Sequence, residues 1–351
     1  MNKAQNKLVI IDGNALIHRS YHALPPLRTK DGTVVNAVYG FASIVLKILQ
    51  DLKPTHIVAS FDMPGKTFRH DKFDGYKATR KKADQDLYDQ IPLVHQLVES
   101  FDIPIFELPG YEADDVIGTI AAQVGSKAQS IIVTGDMDTL QLVDDHTSVF
   151  TMRKGINDTV TYDAAAVMER YGLRPDQIVD LKSLQGDSSD NIPGVPGIGQ
   201  KGATTLLQSF KNLDGVLKAA DDEASDIKPA ARKKLLAGKE SAIMSQDLAT
   251  IRTDVPITFS LRDAALHTTD WQKVADSFSK FEFTSLLRRL PKNAQRSLGD
   301  RIPAAGKKRK KKAVITSVSN KKEIDELLRN AHEVKNVGMS LLPEGSDRIN
   351  A

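Results

Sequence analysis

The sequence predicts an α/β protein: a parallel sheet flanked by helices, followed by a mostly helical region. Two observations predict it. In the first 150 residues, four short apolar runs without polar alternation are separated by segments of helical periodicity. From about residue 163 the strand-like runs stop and only helical patterns follow.

The four runs are "KLVIID" (7–12), "THIVASFD" (55–62), "IPIFEL" (103–108) and "SIIVTGD" (130–136). Continuous Val/Ile-rich runs are the pattern of strands buried on both faces, as in parallel sheets. Between them, Ala37, Phe41, Ile44, Val45, Ile48, Leu49 and Leu52 recur at helical spacing, and so do Val116, Ile117, Ile120 and Ala121. Residues 1–162 are thus expected to form one α/β core. Helical segments are expected at 163–171, 175–185, 199–209, 228–237 and 239–250, within a second region spanning 163–291. After Pro291, "KNAQRSLGDRIPAAGKKRKKK" has linker composition and ends in six consecutive basic residues, so 292–312 is read as a basic linker. Residues 313–351 are read as an incomplete tail.

Composition narrows the chemistry. With 40% hydrophobic and 26% charged residues this is an ordinary globular chain. No run approaches a membrane span and the N-terminus lacks a signal-peptide core, so a cytoplasmic protein without membrane partners is expected. There is no cysteine, so a metal must be held by oxygen or by the eight histidines.

The acids are distributed unevenly. Asp12 and Asp62 end the first two runs, and Glu112, Asp114 and Asp115 open the helix after the third. Asp136 and Asp138 follow the fourth, and Asp187 and Asp190 stand in "GDSSDNIPG". In a parallel sheet the ends of the strands share one edge, where such folds bind ligands. Any one acid has an ordinary role as a helix cap or first-turn residue. Seven from four successive strand ends repel one another unless cations sit among them. Hard oxygen donors without thiolate suit Mg²⁺, with Mn²⁺ as the alternative, and so many acids imply two ions. Two metals among carboxylates is an arrangement for phosphodiester hydrolysis. A haloacid-dehalogenase-type phosphatase shares "DMDTL" and "GDSSDN", but leaves Asp12, Asp62 and Glu112 without a role.

Two basic segments point to the substrate. In "GVPGIGQKGATTLL" (194–207) a Gly- and Pro-rich hairpin runs into a helix, offering free N–H groups and Lys201 to a phosphate. "KTFRHDKFDGYKATRKK" (66–82) carries seven Lys/Arg in seventeen residues with interleaved aromatics, a composition suited to single-stranded nucleic acid.

Taken in order, "IIDGNALIHRSYHAL", "VNAVYGF", "FRHDKFDGYKATR", "YEADDVIGT", "TGDMDTLQLV", "GDSSDNIPGVPGIGQKGA" and "KPAARKKLLAGKESAIMSQDLATIRTDVPI" resemble the flap endonuclease family, in the form of the 5′ nuclease domain of bacterial DNA polymerase I. The resemblance spans roughly residues 5 to 291. It implies a PIN-like nuclease fold, an arch at about 66–90 admitting a single-stranded 5′ end, and a helix–three-turn–helix element gripping duplex DNA. It implies Asp12, Asp62, Glu112 and Asp114 as ligands of a first Mg²⁺, and Asp136, Asp138 and Asp190 as ligands of a second. Asp115 and Asp187 are further acids of that site. Lys77 and Arg80 fall on positions that contact the scissile phosphate. Arg19, Tyr21, Arg69 and Tyr76 fall among DNA contacts, as do Gly194, Gly197, Gly199 and Lys201, and K⁺ is implied at the hairpin 194–199.

The implied function is a structure-specific 5′ nuclease, exonuclease and flap endonuclease, acting in primer removal and repair. Its implied partners are DNA with 5′ flaps, nicks or RNA primers, and a polymerase in a longer form or a separate chain; the chain itself is expected to be a nucleoid-associated monomer. The tail "VITSVSNKKEIDELL" resembles the opening of a 3′–5′ exonuclease-like domain, so a fragment or a separate nuclease is expected. "KKRKKK" is read as a charged linker rather than a nuclear localisation signal. The alternatives are a PIN-like ribonuclease, which has no reason to carry the hairpin, and a DNA-binding module with structural acids.

Overall fold

A computed structural model describes residues 6–299 apart from Thr268. The basic run 307–312 and the tail 313–351 lie outside the described residues. The α/β part runs β1 (Lys7–Asp12), α1 (Gly13–Ala23), α2 (Asn36–Asp51), β2 (His56–Ser60), α3 (Phe68–Lys72), α4 (Gln85–Tyr88), α5 (Ile91–Ser100), β3 (Ile105–Phe106), α6 (Ala113–Val124), β4 (Gln129–Val133), β5 (Thr147–Met152) and β6 (Thr159–Tyr162).

One six-stranded sheet has the order β3-β2-β1-β4-β5-β6. Strands β1 to β5 are parallel and β6 returns antiparallel to β5. The four expected strands are present, β3 reduced to two residues, and β5 and β6 are additions to the expectation. Along β1 the pleat sorts side chains between two cores. Val9 and Ile11 join α1, α2 and α5, whereas Leu8 and Ile10 join α6. All four residues are fully buried, so truncating one to alanine costs about 2–5 kcal/mol.

The helical part comprises α7 (Ala164–Tyr171), α8 (Ile178–Gln185), α9 (Gln200–Phe210), α10 (Leu213–Asp221), α11 (Pro229–Ala237), α12 (Lys239–Ala249), α13 (Trp271–Lys280), α14 (Thr284–Leu287) and α15 (Lys292–Leu298). Helices α8 to α12 enclose a third core around Leu184, Leu207 and Leu235. Chain order and packing part company after α12. Helices α13 to α15 pack back against the α2/α5 side of the sheet through Val274, Phe278, Leu286 and Leu298. Residues 292–298, expected to open the linker, instead form α15, because Ala294 and Leu298 find an apolar surface to cover.

The expected arch also takes a different form. Segment 66–90 holds two short helices, α3 and α4, joined by turns over 73–84, and its middle is folded down onto the acids. Among the described residues no helix is long and apolar enough to cross a membrane.

Candidate active site

Parallel strands bring the acids to one edge. Asp12 ends β1 and caps α1, its Oδ1 accepting from Ala15 N at 3.1 Å. The tight β1–α1 junction requires Gly13, since a Cβ there would lie 2.2 Å from the Phe61 ring. Asp62 follows β2; its Oδ1 accepts from Ala113 N at 2.7 Å, and its own N–H donates to Asn14 Oδ1 at 3.1 Å. Glu112 caps α6, which carries Asp114 in its first turn. Asp136 follows β4, and its Oδ1 accepts from Asp138 N at 2.9 Å.

Electrostatically these acids divide into two sets. The carboxyls of Asp12, Asp62 and Asp114 are raised above the usual carboxylate range. Desolvation is the main cause at each. Asp12 is pushed up to about 7, against hydrogen bonds from Thr134 and Ala15 and with help from the charges of Asp62 and Asp136. Asp114 is raised well above 3.8, by burial and then by Asp12, Asp136, Asp62 and Glu112. Asp62 is exposed at the rim of the site, and the loss of water around its carboxyl raises it more than the Ala113 N–H and the charge of Lys77 lower it.

The second set is paired with bases. Lys77 Nζ donates to Glu112 Oε1 at 2.7 Å, and Arg80 pairs with Asp190. Lys182 bridges Asp138 and Asp187. Burial and Asp136 still push Asp138 up to about 7 against Lys182. At Asp187, burial is outweighed by hydrogen bonds from Lys182 and Ser189, leaving it at about 2. Lys182 lies outside the expected site residues; the only signal for it was a lysine five residues before Asp187, within an otherwise amphipathic helix. Among the described residues no three carboxylate or imidazole groups form a ready-made ligand cluster. The acids are instead spread around the basic side chains.

Three expected roles are corrected. Asp115 is fully buried and its oxygens accept from Arg69 at 2.7 and 2.8 Å, so it is turned away from the site edge. Arg69, expected on DNA, is 2% exposed and spends its guanidinium inside the protein. Tyr76 is 3% exposed and packs with Ile192, Leu248 and Ala249; its hydroxyl donates to Glu112 at 3.0 Å and Asp190 at 3.2 Å. A ring so enclosed has no face for a base. Its neighbour Lys77 takes a left-handed backbone (φ +54°), held by its N–H on Asp190 O at 2.9 Å.

Beside Asp136 opens a basic groove of about 660 Å³ lined by Arg19, His22, Arg80, Arg153 and Ser189. Arg19 ties the β5–β6 turn to α1 through the carbonyls of Arg153 (3.1 Å) and Gly155 (3.4 Å). Tyr21 donates to Asp84 at 3.2 Å, anchoring the segment before α4.

The three hairpin glycines have separate reasons. Gly194 (φ +61°) passes so close to Gly186 that a Cβ would lie 2.2 Å from its nitrogen. Gly197 (φ +82°) faces Lys234, whose Nζ donates to its carbonyl at 2.9 Å. Among the described residues Gly199 alone of the three has open space before it, at the N-cap of α9, where none of them supplies a side-chain hydrogen bond. Lys201, Lys228 and Lys234 line the same opening.

A parallel sheet with acids gathered at one edge, a basic strap over them and a helix–hairpin–helix beside them defines a nuclease of the 5′–3′ exonuclease type. Two family models match consecutive parts of the chain. They are "5′-3′ exonuclease, N-terminal resolvase-like domain" over residues 7–172 and "5′-3′ exonuclease, C-terminal SAM fold" over 173–272. The chain belongs to this 5′–3′ exonuclease family.

Among curated relatives, DNA polymerase I of Bacillus caldotenax is 42% identical over 288 residues, 82% of this chain and 32% of its own length. DNA polymerase I of Mycobacterium leprae is 35% identical, covering 84% of this chain and 32% of its own. The chain therefore spans about a third of the length of these relatives. Two solved structures share the fold. The bacteriophage T5 flap endonuclease, solved with DNA and metal ions, has a TM-score of 0.59 at 21% identity and covers 79% of this chain and 100% of its own. Human GEN1, solved with Holliday junction DNA, has a TM-score of 0.54 at 14% identity and covers 82% and 71%.

Proposed function

We propose that the chain is a structure-specific 5′ nuclease that hydrolyses phosphodiester bonds near single-strand/duplex DNA junctions, with 5′-exonuclease and flap-endonuclease action in primer removal and repair. One observation carries this reading: acids from four parallel strand ends meet at the sheet edge, where desolvation and neighbouring carboxylate charge raise Asp12, Asp62 and Asp114. Crowding of mutually repelling carboxylates is costly, and a bound cation offsets that cost.

The residues fit divalent cations. Every donor is a hard oxygen, and Asp12, Asp62 and Asp114 are each raised in part by the charge of neighbouring acids, which a bound cation would offset. Asp12, Asp62, Glu112 and Asp114 would hold one Mg²⁺ or Mn²⁺, and Asp136, Asp138 and Asp190 another, with Asp187 orienting Lys182 beside them. Bound there, such ions supply Lewis acidity towards water and the scissile phosphate. The T5 and GEN1 complexes with DNA, and the metal ions in the former, support the same reading.

The chain's own residues do the rest. Lys77 and Arg80, on the strap folded over the acids, place two positive charges where phosphate charge accumulates. Their present partners, Glu112 and Asp190, are acids assigned to cation binding, so occupation of the site frees both bases for substrate. Arg19 shapes the wall of the groove that takes the 5′ strand, with Tyr21 beside it. Gly199 and Lys201 receive a duplex phosphate at the α9 N-terminus, and the carbonyls of 194–199 offer a K⁺ site in which Lys234 already satisfies Gly197. A polymerase partner, in a longer form or a separate chain, a monomeric state and association with the nucleoid belong to the same reading.

The test is incubation with a 5′-flap DNA, a linear duplex control and an RNA hairpin, each in Mg²⁺ or EDTA. The expected result is Mg²⁺-dependent cutting of the flap near its junction. Preference for the RNA hairpin would make it a PIN-like ribonuclease. Equal flap binding with and without Mg²⁺ and no cutting would leave a DNA-binding module.

A further inference from the structure

Arg69 joins three parts of the molecule. It sits on α3, at the base of the strap, and all its N–H donors are spent. Nη1 and Nη2 bind Asp115 at 2.7 and 2.8 Å, and Nη1 also reaches Glu112 at 3.4 Å. Nε donates to Leu248 O at 2.9 Å and Nη2 to Thr250 O at 2.8 Å. Those carbonyls belong to the C-terminal end of α12, where helix carbonyls lack intrahelical donors and favour a cation. Arg252 N, just beyond, donates to Asp115 Oδ1 at 2.8 Å and closes the ring of contacts.

The other end of α12 holds the hairpin. Ser241 Oγ donates to Gly194 O at 2.6 Å, and Gly194 N donates to Ser245 Oγ at 2.9 Å. Ser245 is fully buried. A single helix therefore carries the hairpin at one end and the acid-bearing start of α6 at the other. From Ser241 to Leu248 it spans roughly 10 Å, at about 1.5 Å per residue.

We propose that Arg69 is the positioning residue that fixes where the strand is cut, by locking α12 as a strut of set length between the duplex-holding hairpin and the acids. This rests on the nuclease reading above. Incision position is then the distance from the hairpin to Glu112, and a rigid helix pinned at both ends allows one value. A bidentate guanidinium with two further carbonyl contacts fixes orientation as a lysine ammonium does not.

The test is cleavage of one 5′-flap substrate in Mg²⁺, read at single-nucleotide resolution, by wild type, Arg69→Lys and the double variant Ser241→Ala/Ser245→Ala. Wild type is expected to give one dominant product. Each variant should give a ladder around it, with the rate at the original position lowered about tenfold to a hundredfold, the scale of a misplacement of about 1 Å. Combining all three substitutions should broaden the ladder no further, because both changes break one strut.

Slower cutting at an unchanged position in both variants would overturn the proposal. If circular dichroism shows Arg69→Lys unfolded, the serine variant reads the same outcome. A second arm needs no cutting: amide exchange in EDTA with the flap DNA. DNA should slow exchange at 194–199 and at 248–252 in wild type, but only at 194–199 in Arg69→Lys. Protection of 248–252 in both would equally overturn the strut. A wild type that binds the flap and never cuts it defeats the nuclease reading instead, while the exchange arm still decides the strut.

Discussion

Thr134 donates its hydroxyl to Asp12 Oδ2 at 2.5 Å, and the same Oγ1 accepts from Asp136 N at 2.8 Å. One fully buried side chain thereby ties the acid at the end of β1 to the acid turn after β4. Thr134→Val keeps the shape and removes both bonds. A lost hydrogen bond to a buried carboxylate costs about 1–3 kcal/mol. The variant should therefore melt lower and need more Mg²⁺ for half-maximal cleavage, and Thr134→Ser should restore both. Metal titration of cleavage and of the melting temperature checks this. Identical titrations for Thr134→Val and wild type would show the bond to be incidental.

Stability should depend on pH in a direction that metal reverses. The folded-state pKa values of Asp12 and Asp138 lie at about 7, above the ordinary 3.8, and Asp62 and Asp114 are raised as well. A raised acid contributes stability below its unfolded pKa and loses it as pH rises through the folded value. In EDTA this lowers the melting temperature from about pH 5 to pH 7.5. Asp187, held at about 2, contributes no slope in that window. His18 and His56, lowered by burial, contribute the opposite slope below 6.5. The decisive quantity is thus the difference between EDTA and Mg²⁺. Mg²⁺ binding only the folded, ionised acids should raise the melting temperature most near neutral pH. Parallel curves in the two conditions would remove the cation from the account.

Lys77 and Lys72 separate a placed charge from a diffuse patch. Lys77 reaches Glu112 from a left-handed backbone position inside the site. Lys72 pairs with Asp247 at 2.5 Å on the surface, 46% exposed, a pairing of about 0.2–1 kcal/mol. Lys77→Ala should slow single-turnover flap cleavage by about a hundredfold or more, the scale of one lost transition-state donor, with little change of affinity in Ca²⁺. Lys72→Ala should cost little. Equal, modest losses in both would assign the effect to the patch.

Gly199 offers the cleanest hairpin test, because its φ of −96° and the open space beside it accept a side chain. Gly199→Val should leave the melting temperature near wild type and weaken duplex binding, with a shallower dependence on salt as a phosphate contact is lost. Gly194→Val, by contrast, should fail on folding grounds. A salt slope unchanged in Gly199→Val would make the hairpin a turn and nothing more.

How far the sequence carried depended on what each residue's role requires. Asp12, Asp62, Glu112, Asp114 and Asp136 were legible because each ends or follows an apolar run, and parallel strands place such ends on one edge whatever the strand order. The order itself, and strands β5 and β6, were not legible, since "TSVFTM" and "TVTY" are short and rich in Thr and Ser. Arg69, Tyr76 and Asp115 have the same composition inside the fold as on its surface; only tertiary packing turns them inward. Lys182 and Thr134 were missed for a related reason. Each has a partner far off in sequence, Asp138 44 residues from Lys182 and Asp12 122 residues from Thr134, beyond any local pattern.

The central claim is that these acids serve cation-dependent cutting rather than the fold or DNA affinity, and Asp136→Ala tests it most directly. Among the described residues the Asp136 side chain accepts only the Asp138 N–H, so its loss disturbs little else. Single-turnover cleavage of a 5′-flap in Mg²⁺ is measured beside binding of the same DNA in Ca²⁺. Binding should stay within a few-fold of wild type while the cleavage rate falls by about three orders of magnitude or more. Cleavage retained within about tenfold would contradict the account, because the acids at the sheet edge would then not be the catalytic centre.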